Sequence, residues 1–103
     1  MNTVIKDWIL VDVNSGDRLI GTVLWGIVMD DSSFRFSVND YVCTSEITNV
    51  YHQLITTSSN SLYQVVGMGS RDGIEYDDFE LLRNGFDPHQ INKLRKLEDS
   101  KPH

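Results

Sequence analysis

Cys43 and His52 are the residues whose types could supply a thiol nucleophile and its base. Cys43 stands in an apolar run, where a cysteine usually behaves as a small buried hydrophobic residue. No neighbour in the sequence is of a type that would clearly lower the pKa of the thiol, and a separation of nine residues does not by itself bring His52 to it. The sequence therefore predicts no catalytic residues and favours a protein that is not an enzyme.

Metal and cofactor motifs are missing from the sequence. Residues 12–17 look like the start of a calcium loop, but an EF-hand needs glycine at its sixth position and glutamate at its twelfth, where this chain has Asp17 and Val23. One cysteine cannot build a structural zinc site, and the histidines do not share a metal-ligand spacing: His52, His89 and His103. There is no phosphate-binding or dinucleotide-binding glycine motif either. We expect no metal and no cofactor.

The densest group of charged residues is acidic and lies within nine residues: Asp72, Glu75, Asp77, Asp78 and Glu80. It could be an acidic docking face for a partner or a weak cation site. Acidic residues also favour the first turns of a helix, whose dipole is positive there, and they keep a surface soluble. The sequence favours this second interpretation and leaves the docking face open.

Six aromatic side chains form a candidate interaction surface: Trp25, Phe34, Phe36, Tyr41, Tyr51 and Tyr63. Small β-domains often bind partners through such residues, and most aromatic residues of so short a chain must also contribute to its core. Two or more of them exposed side by side would mark an interface.

The elements that position these residues are predicted from periodicity. Short apolar-rich runs separated by turn residues predict strands, and the change to helical spacing near the end of the chain predicts two helices. We expect strands at 8–13, 18–29, 34–36, 41–47, 50–57 and 62–66, a loop at 68–73, and helices at 75–84 and 88–98.

The strand at 18–29 is apolar on both faces, which an open sheet with one buried face would not need. Gly21 and Gly26 lie inside it, and a glycine within a strand usually marks a bulge or a bend. We expect one long strand that curls across both halves of a small barrel. The alternative is two ordinary strands that break near Gly26.

The start of the second helix has the clearest local signal. Asp87 suits the N-cap, Pro88 suits the first helical position, and Gln90 stands where a capping box places Glu or Gln. Gly85 suits a left-handed cap at the end of the preceding helix. Residues 100–103 are expected to fray.

Length and charge set further bounds. With 103 residues the chain has room for one domain, 1–103, made of a β-barrel at 8–67 and a helical extension at 75–98. Nine basic against fifteen acidic residues give a net charge of −6, and residues 1–70 hold only three cations. Nucleic-acid binding depends on clustered cations, so we expect no nucleic-acid partner.

The sequence also bears on localisation. No apolar run could cross a membrane, and a single cysteine predicts a cytoplasmic protein.

The segment 24–67 resembles small uncharacterised bacterial proteins, some of them encoded on mobile gene cassettes. The resemblance rests on residues spread through this segment: Gly26, Val28, Arg35, Phe36, Asp40, Val42, Cys43, Thr44, Ser45, Ile47, Thr57, Ser61, Tyr63 and Gly67. Those proteins have no assigned activity, so the resemblance implies no catalytic residues for this chain.

Together these observations predict a mainly β protein with C-terminal helices, of the α+β class. We expect a small antiparallel β-barrel of about five or six strands, Src-homology-3-like or OB-like, with two short helices. The favoured function is a non-enzymatic binding or protein-interaction module of unknown partner that forms homodimers. One alternative is a small-molecule-binding barrel or modest enzyme with a pocket near Cys43, Tyr63 or Glu46. It requires a cavity of at least ~300 Å³ with convergent polar groups. A further alternative is an acidic DNA mimic.

Overall fold

The computed structural model describes residues 2–99. It consists of six strands followed by a 3₁₀ turn and two short α-helices. The strands are β1 (Asn2–Ser15), β2 (Arg18–Asp31), β3 (Tyr41–Tyr51), β4 (Leu54–Thr57), β5 (Leu62–Val65) and β6 (Ser70–Glu75); the 3₁₀ turn is Tyr76–Asp78, and the helices are α1 (Phe79–Arg83) and α2 (Pro88–Asp99). The predicted mainly β protein with two C-terminal helices is therefore confirmed. The fraying expected of residues 100–103 falls outside the described residues.

The sheet is mixed, whereas the sequence predicted an antiparallel one. Strands β1 to β5 pair consecutively in antiparallel fashion, and β5 then pairs in parallel with residues 2–5 of β1. These five pairings form a closed ring of hydrogen-bonded strands. On the same edge of β1, residues 9–14 pair in parallel with β6. One edge of β1 therefore pairs first with β5 and then with β6.

A bulge in β1 separates these two partners. Between the pairs Lys6–Ile27 and Ile9–Trp25, two residues of β1 stand opposite Gly26 alone. One of the two, Asp7, has a φ of 50°. A Cβ on Gly26 would lie 2.2 Å from Cγ2 of Ile5, so only glycine lets β1 come this close. Gly26 thus makes room for a bend in the neighbouring strand.

β2 is one long strand, as predicted, and the alternative of two strands broken at Gly26 is wrong. Its two faces contribute to two different cores, which explains why both are apolar. Val23 and Trp25 pack with residues of β1, β6 and both helices. Leu24 and Val28 pack in a second core to which all five ring strands contribute: Ile5, Leu24, Val28, Val42, Ile55, Tyr63 and Val65.

Several predicted boundaries are wrong. The expected strand at 34–36 is a loop, and the strand expected at 50–57 is interrupted by a turn at His52, whose φ of 54° lies in the left-handed region. The expected loop at 68–73 contributes most of β6. It becomes a strand because it pairs with residues 9–14 of β1, a pairing that the sequence of residues 68–73 does not indicate. The first helix is shorter than predicted, and Glu75 belongs to β6.

Both helix caps are confirmed. Gly85 has a φ of 105°, and its N–H donates to the carbonyl of Leu82. The N–H of Asp87 donates to Oε1 of Gln90 at 2.9 Å, and the N–H of Gln90 donates to Oδ1 of Asp87 at 2.8 Å, which is a complete capping box. Leu82 and Ile91 are fully buried and fix the two helices to the core that they share with β1 and β6.

Candidate functional site

One cavity of the described residues combines polar groups from four parts of the chain. It measures about 360 Å³ and lies between the loop after β2, the first half of β3, the turn between β4 and β5, and the end of α1. We call it the arginine cleft. It is lined by Arg35, Phe36, Tyr41, Val42, Cys43, Thr44, Ser45, Ser59, Ser61, Tyr63 and Arg83.

The loop that carries Arg35 is organised around the carboxylate of Asp31. Oδ2 of Asp31 accepts the backbone N–H groups of Arg35 and Phe36, each at 2.7 Å. Oδ1 accepts the N–H of Ser33 at 3.1 Å, the hydroxyl of Ser33, and the hydroxyl of Thr3 at 2.8 Å. These five hydrogen bonds to one carboxylate hold the loop in place, although the loop has no regular secondary structure.

These donors also set the ionisation of Asp31. Partial burial alone would raise its pKa, but the hydrogen bonds from the hydroxyl of Ser33, the N–H of Phe36 and the hydroxyl of Thr3 outweigh burial and hold the pKa well below its usual range. Asp31 is therefore an anion at every pH at which the protein is expected to work.

The side chain of Arg35 is held by hydroxyl groups. Its Nε donates to Oγ of Ser33 at 3.0 Å and its Nη1 to Oγ of Ser61 at 3.1 Å. The guanidinium carbon lies 5.1 Å from the centre of the Phe36 ring, within range of a cation–π contact. Within residues 2–99 Arg35 forms no ion pair, so its charge is not neutralised by a carboxylate of the fold.

Arg83 contributes the second guanidinium from the last turn of α1. Its Nη1 lies 3.4 Å from Oε1 of Glu80, and both side chains are largely exposed, which makes this a weak pair. Its carbonyl accepts the hydroxyl of Tyr41 at 2.8 Å, which ties α1 to β3. None of the residues that line the cleft has a carboxylate; Glu80, which contacts Arg83, and Asp31, which accepts the backbone N–H of Arg35, lie outside the lining.

A chain of hydroxyl groups runs along the cleft from Thr57 to Arg35. Oγ of Ser59 lies 3.1 Å from Oγ1 of Thr57, 3.1 Å from Oγ of Ser45 and 3.4 Å from Oγ of Ser61, which in turn accepts from Arg35. A hydroxyl can rotate to donate or to accept. The cleft can therefore offer several O–H donors to an anion beside the two guanidinium groups.

The thiol of Cys43 lines the same cleft in its protonated form. Burial raises its pKa to about 11, and the positive charge of Arg83 offsets only part of that rise. A thiol with this pKa is a poor nucleophile at neutral pH. His52 does not line the cleft; it lies in the turn between β3 and β4, where its ring meets that of Tyr51 edge-on.

The six aromatic residues proposed as an interaction surface are divided among different places. Phe36, Tyr41 and Tyr63 line the arginine cleft, and Trp25 is buried and stacks on Tyr41 with ring centres 6.5 Å apart. The other two are exposed at separate positions: Phe34 in the loop after β2 and Tyr51 at the end of β3. Any role of these residues in an interface stays a prediction.

Four of the five residues proposed as an acidic docking face contact groups of their own chain. Asp78 forms an ion pair with Arg95 at 2.8 Å, and Glu80 contacts Arg83. Two more contact polar groups: Asp72 lies 3.3 Å from Nδ1 of His89, and Glu75 accepts the N–H of Gly16 at 3.3 Å. The fifth, Asp77, is exposed in the 3₁₀ turn. These contacts agree with the structural interpretation of the cluster.

Residues 12–17 end β1 and form the hairpin turn to β2, as the sequence indicated. Among residues 2–99, no group of three or more His, Cys, Asp and Glu side chains is placed to hold a metal ion. Neither helix of the described chain combines the length and the apolar character that a membrane span requires.

Sequence reasoning missed the arginine cleft and the role of Asp31. The signal for the loop was present, because Asp followed two residues later by Ser is typical of a side-chain-stabilised turn. The cleft had no local signal, because Arg35, Ser61 and Arg83 are far apart in sequence and nothing in their spacing brings them together. Several residues that carry the resemblance to uncharacterised proteins line it, among them Arg35, Cys43 and Tyr63.

Comparison with known proteins identifies a family without an assigned activity. No curated protein and no solved structure matches the chain significantly. A family profile described as a domain of unknown function, DUF6957, matches residues 1–80, which include all six strands and the start of α1. The chain therefore belongs to the DUF6957 family.

Proposed function

We propose that the protein binds a small anionic molecule, one that carries a phosphate or carboxylate group, in the arginine cleft. The observation that carries the proposal is the pairing of two guanidinium groups, Arg35 and Arg83, with a chain of hydroxyl groups in a cavity whose walls hold no carboxylate. In a protein of net charge −6, a cavity lined by two arginine residues and by no carboxylate is a specific feature.

The size and walls of the cleft favour a small molecule. Its volume of about 360 Å³ lies within the range of small-molecule sites, which supports this proposal. Phe36, Tyr41 and Tyr63 add aromatic surface beside the polar groups. We therefore propose a ligand with one anionic group and an apolar or aromatic portion.

Binding without covalent chemistry is the activity that these groups support best. A nucleophilic cysteine needs a lowered pKa, whereas the pKa of Cys43 is raised to about 11. Arginine stays protonated at all accessible pH values, so Arg35 and Arg83 can bind an anion but cannot transfer protons as a general acid or base. The hydroxyl groups lack a neighbouring base within the cleft.

Isothermal titration calorimetry tests this proposal with phenyl phosphate and phenylacetate, which share a ring and differ in the anion. We expect saturable binding of at least one of them, and the stronger of the two identifies the preferred group. Arg35→Gln should weaken binding about tenfold or more, because a hydrogen bond to a charged group contributes about 1.5–3 kcal/mol.

The control is Lys93→Gln, which removes the same charge from exposed α2, outside the cleft. It should leave the affinity unchanged apart from a small screening effect. Absence of binding by both probes and by inorganic phosphate, or equal losses in the two variants, would refute the proposal.

We also propose that the closed ring of strands is a small barrel and that the protein is cytoplasmic. The core to which all five ring strands contribute supports the first statement, and the single, largely buried cysteine agrees with a reducing compartment. Hydrogen exchange tests the barrel: amides of residues 2–5 and 62–65, which close the ring, should be protected as strongly as those of β2.

A further inference from the structure

We infer that the first five residues of β2, Arg18–Thr22, are a dimerisation edge that pairs with the same edge of a second copy of this chain. Pairing between β2 and β3 begins only at Val23 and Glu46, and beyond this point β3 turns away to pair with β4. Within the described residues, the segment 18–22 pairs only with β1. The described residues therefore place no strand against its other edge.

The side chains of this edge are those of an interface. Leu19 is 54% exposed and Ile20 is 49% exposed, and Val50 on the diverging part of β3 is also exposed. Exposed edges of monomeric proteins are usually protected by lysine, proline or an inward charge. The segment from Leu19 to Thr22 has no lysine, no proline and no charge of its own, and its one protective feature is a bulge at Ile20, the residue that β2 has in excess of β1 between Val13 and Asn14.

Two hollows flank the edge and would receive apolar side chains. On one side, a groove of about 190 Å³ is lined by Ile20 together with Val13, Val23 and Phe79. On the other side, a cavity of about 360 Å³ opens between β2 and β3 and is lined in part by Leu19 and Val50. An added strand would cover both hollows.

Charge complementarity points to a second copy as the occupant. Arg18 lies at one end of the edge, and at the other end the carboxylate of Glu46 lies beside Gly21, where an added Cβ would be 3.0 Å from Oε1. Within residues 2–99 neither Arg18 nor Glu46 forms an ion pair. In an antiparallel pair with Ile20 on the two-fold axis, Arg18 of each copy approaches the Glu46 end of the other copy. The same edge thus provides both the cation and the anion.

Sedimentation equilibrium across the micromolar range tests the inference. We expect a monomer–dimer equilibrium that Ile20→Lys shifts to monomer, because a charge at the axis would face an identical charge. Leu19→Lys is a second variant in case the first does not fold, and circular dichroism verifies the fold of each. Val38→Lys, at an exposed position in the loop after β2, is the matched control and should leave the equilibrium unchanged.

Two further experiments locate the contact. Ile20→Cys should form an interchain disulfide under mild oxidation, because residues on the axis of an antiparallel pair have Cβ atoms about 5 Å apart; Val38→Cys should not. Arg18→Glu and Glu46→Arg should each weaken the dimer, and the double variant should restore it. A monomer at all concentrations, a dimer indifferent to both lysine variants, or an edge that binds only foreign peptides would overturn the inference.

Discussion

Replacement of Asp31 by asparagine should destabilise the protein and misplace Arg35. The carboxylate receives five hydrogen bonds, three on Oδ1 and two on Oδ2. An asparagine amide has one oxygen, so its best orientation keeps the three donors on Oδ1 and places an NH₂ group against the N–H groups of Arg35 and Phe36. Both of these backbone donors then lose their acceptor.

The expected magnitude follows from those two lost bonds. A hydrogen bond to a charged group contributes about 1.5–3 kcal/mol, and the lower end applies because the N–H of Arg35 is near solvent and can bind water instead. We expect the free energy of unfolding to fall by about 2–4 kcal/mol, measured by urea denaturation at neutral pH. The slope of the transition should stay constant, because the folded core is unchanged.

The neighbouring Asp30 provides a matched control. It is exposed, and Asp30→Asn removes the same charge without removing a hydrogen bond of the loop. We expect a change of less than about 0.5 kcal/mol, as for most surface substitutions. Equal effects of the two variants, or a loss below about 0.5 kcal/mol for Asp31→Asn, would refute the role assigned to the carboxylate.

The pH dependence gives an independent readout. The pKa of Asp31 is lower in the folded state than in the unfolded state, so its contribution is complete above the unfolded value of about 4 and declines as the pH falls toward the folded value. The difference in stability between the wild type and Asp31→Asn should therefore be constant near neutrality and shrink below about pH 4. A difference that grows on acidification would contradict this assignment.

Three further predictions concern packing, the thiol and the helix cap. Gly26→Ala should lower the free energy of unfolding, measured by urea denaturation, by about 1–3 kcal/mol, because the added Cβ would overlap Ile5. Gly73→Ala is the control: its Cβ has a nearest contact of 3.2 Å, so its cost should be much smaller. Equal costs would contradict the close approach of β1 to Gly26. Near pH 8, Cys43 of the folded protein should react with iodoacetamide about a hundredfold more slowly than that of the unfolded chain, since its pKa is raised to about 11. The rate should continue to rise with pH above about pH 9, and a plateau at about pH 9 would show a thiol of ordinary pKa. Asp87→Ala should lower the free energy of unfolding by about 1 kcal/mol, and Asp87→Asn, which keeps an acceptor for the N–H of residue 90, should lower it less.

Local features of the fold could be predicted because their causes lie within a few residues of sequence. The turn after Ser15, the length of β2 and the caps at Gly85 and Asp87 depend on backbone preferences and on hydrogen bonds between near neighbours. The apolar character of both faces of β2 was visible in the sequence as well, but that the two faces contribute to two different cores is seen only in the structure.

Elements that depend on distant partners could not be predicted in this way. β6 has few strand-forming residues and exists because the bulge in β1 leaves residues 9–14 free to pair with it. The loop after β2 looked like a strand because Phe34 and Phe36 alternate, yet the carboxylate of Asp31 binds its backbone N–H groups instead. In β6 a tertiary contact prevailed over local propensity, whereas in the loop after β2 a local bond from side chain to backbone, four and five residues along the chain, prevailed over the strand pattern.

The sequence by itself determined the class of the fold, its local turns and caps, and the membership of the chain in the DUF6957 family. Each of these depends on neighbouring residues or on a pattern along the chain. Tertiary structure alone decided which strands meet in parallel and which side chains share a cavity. The physical reason is distance along the chain: Arg35, Ser61 and Arg83 come together only when the ring of strands closes and α1 packs against β3.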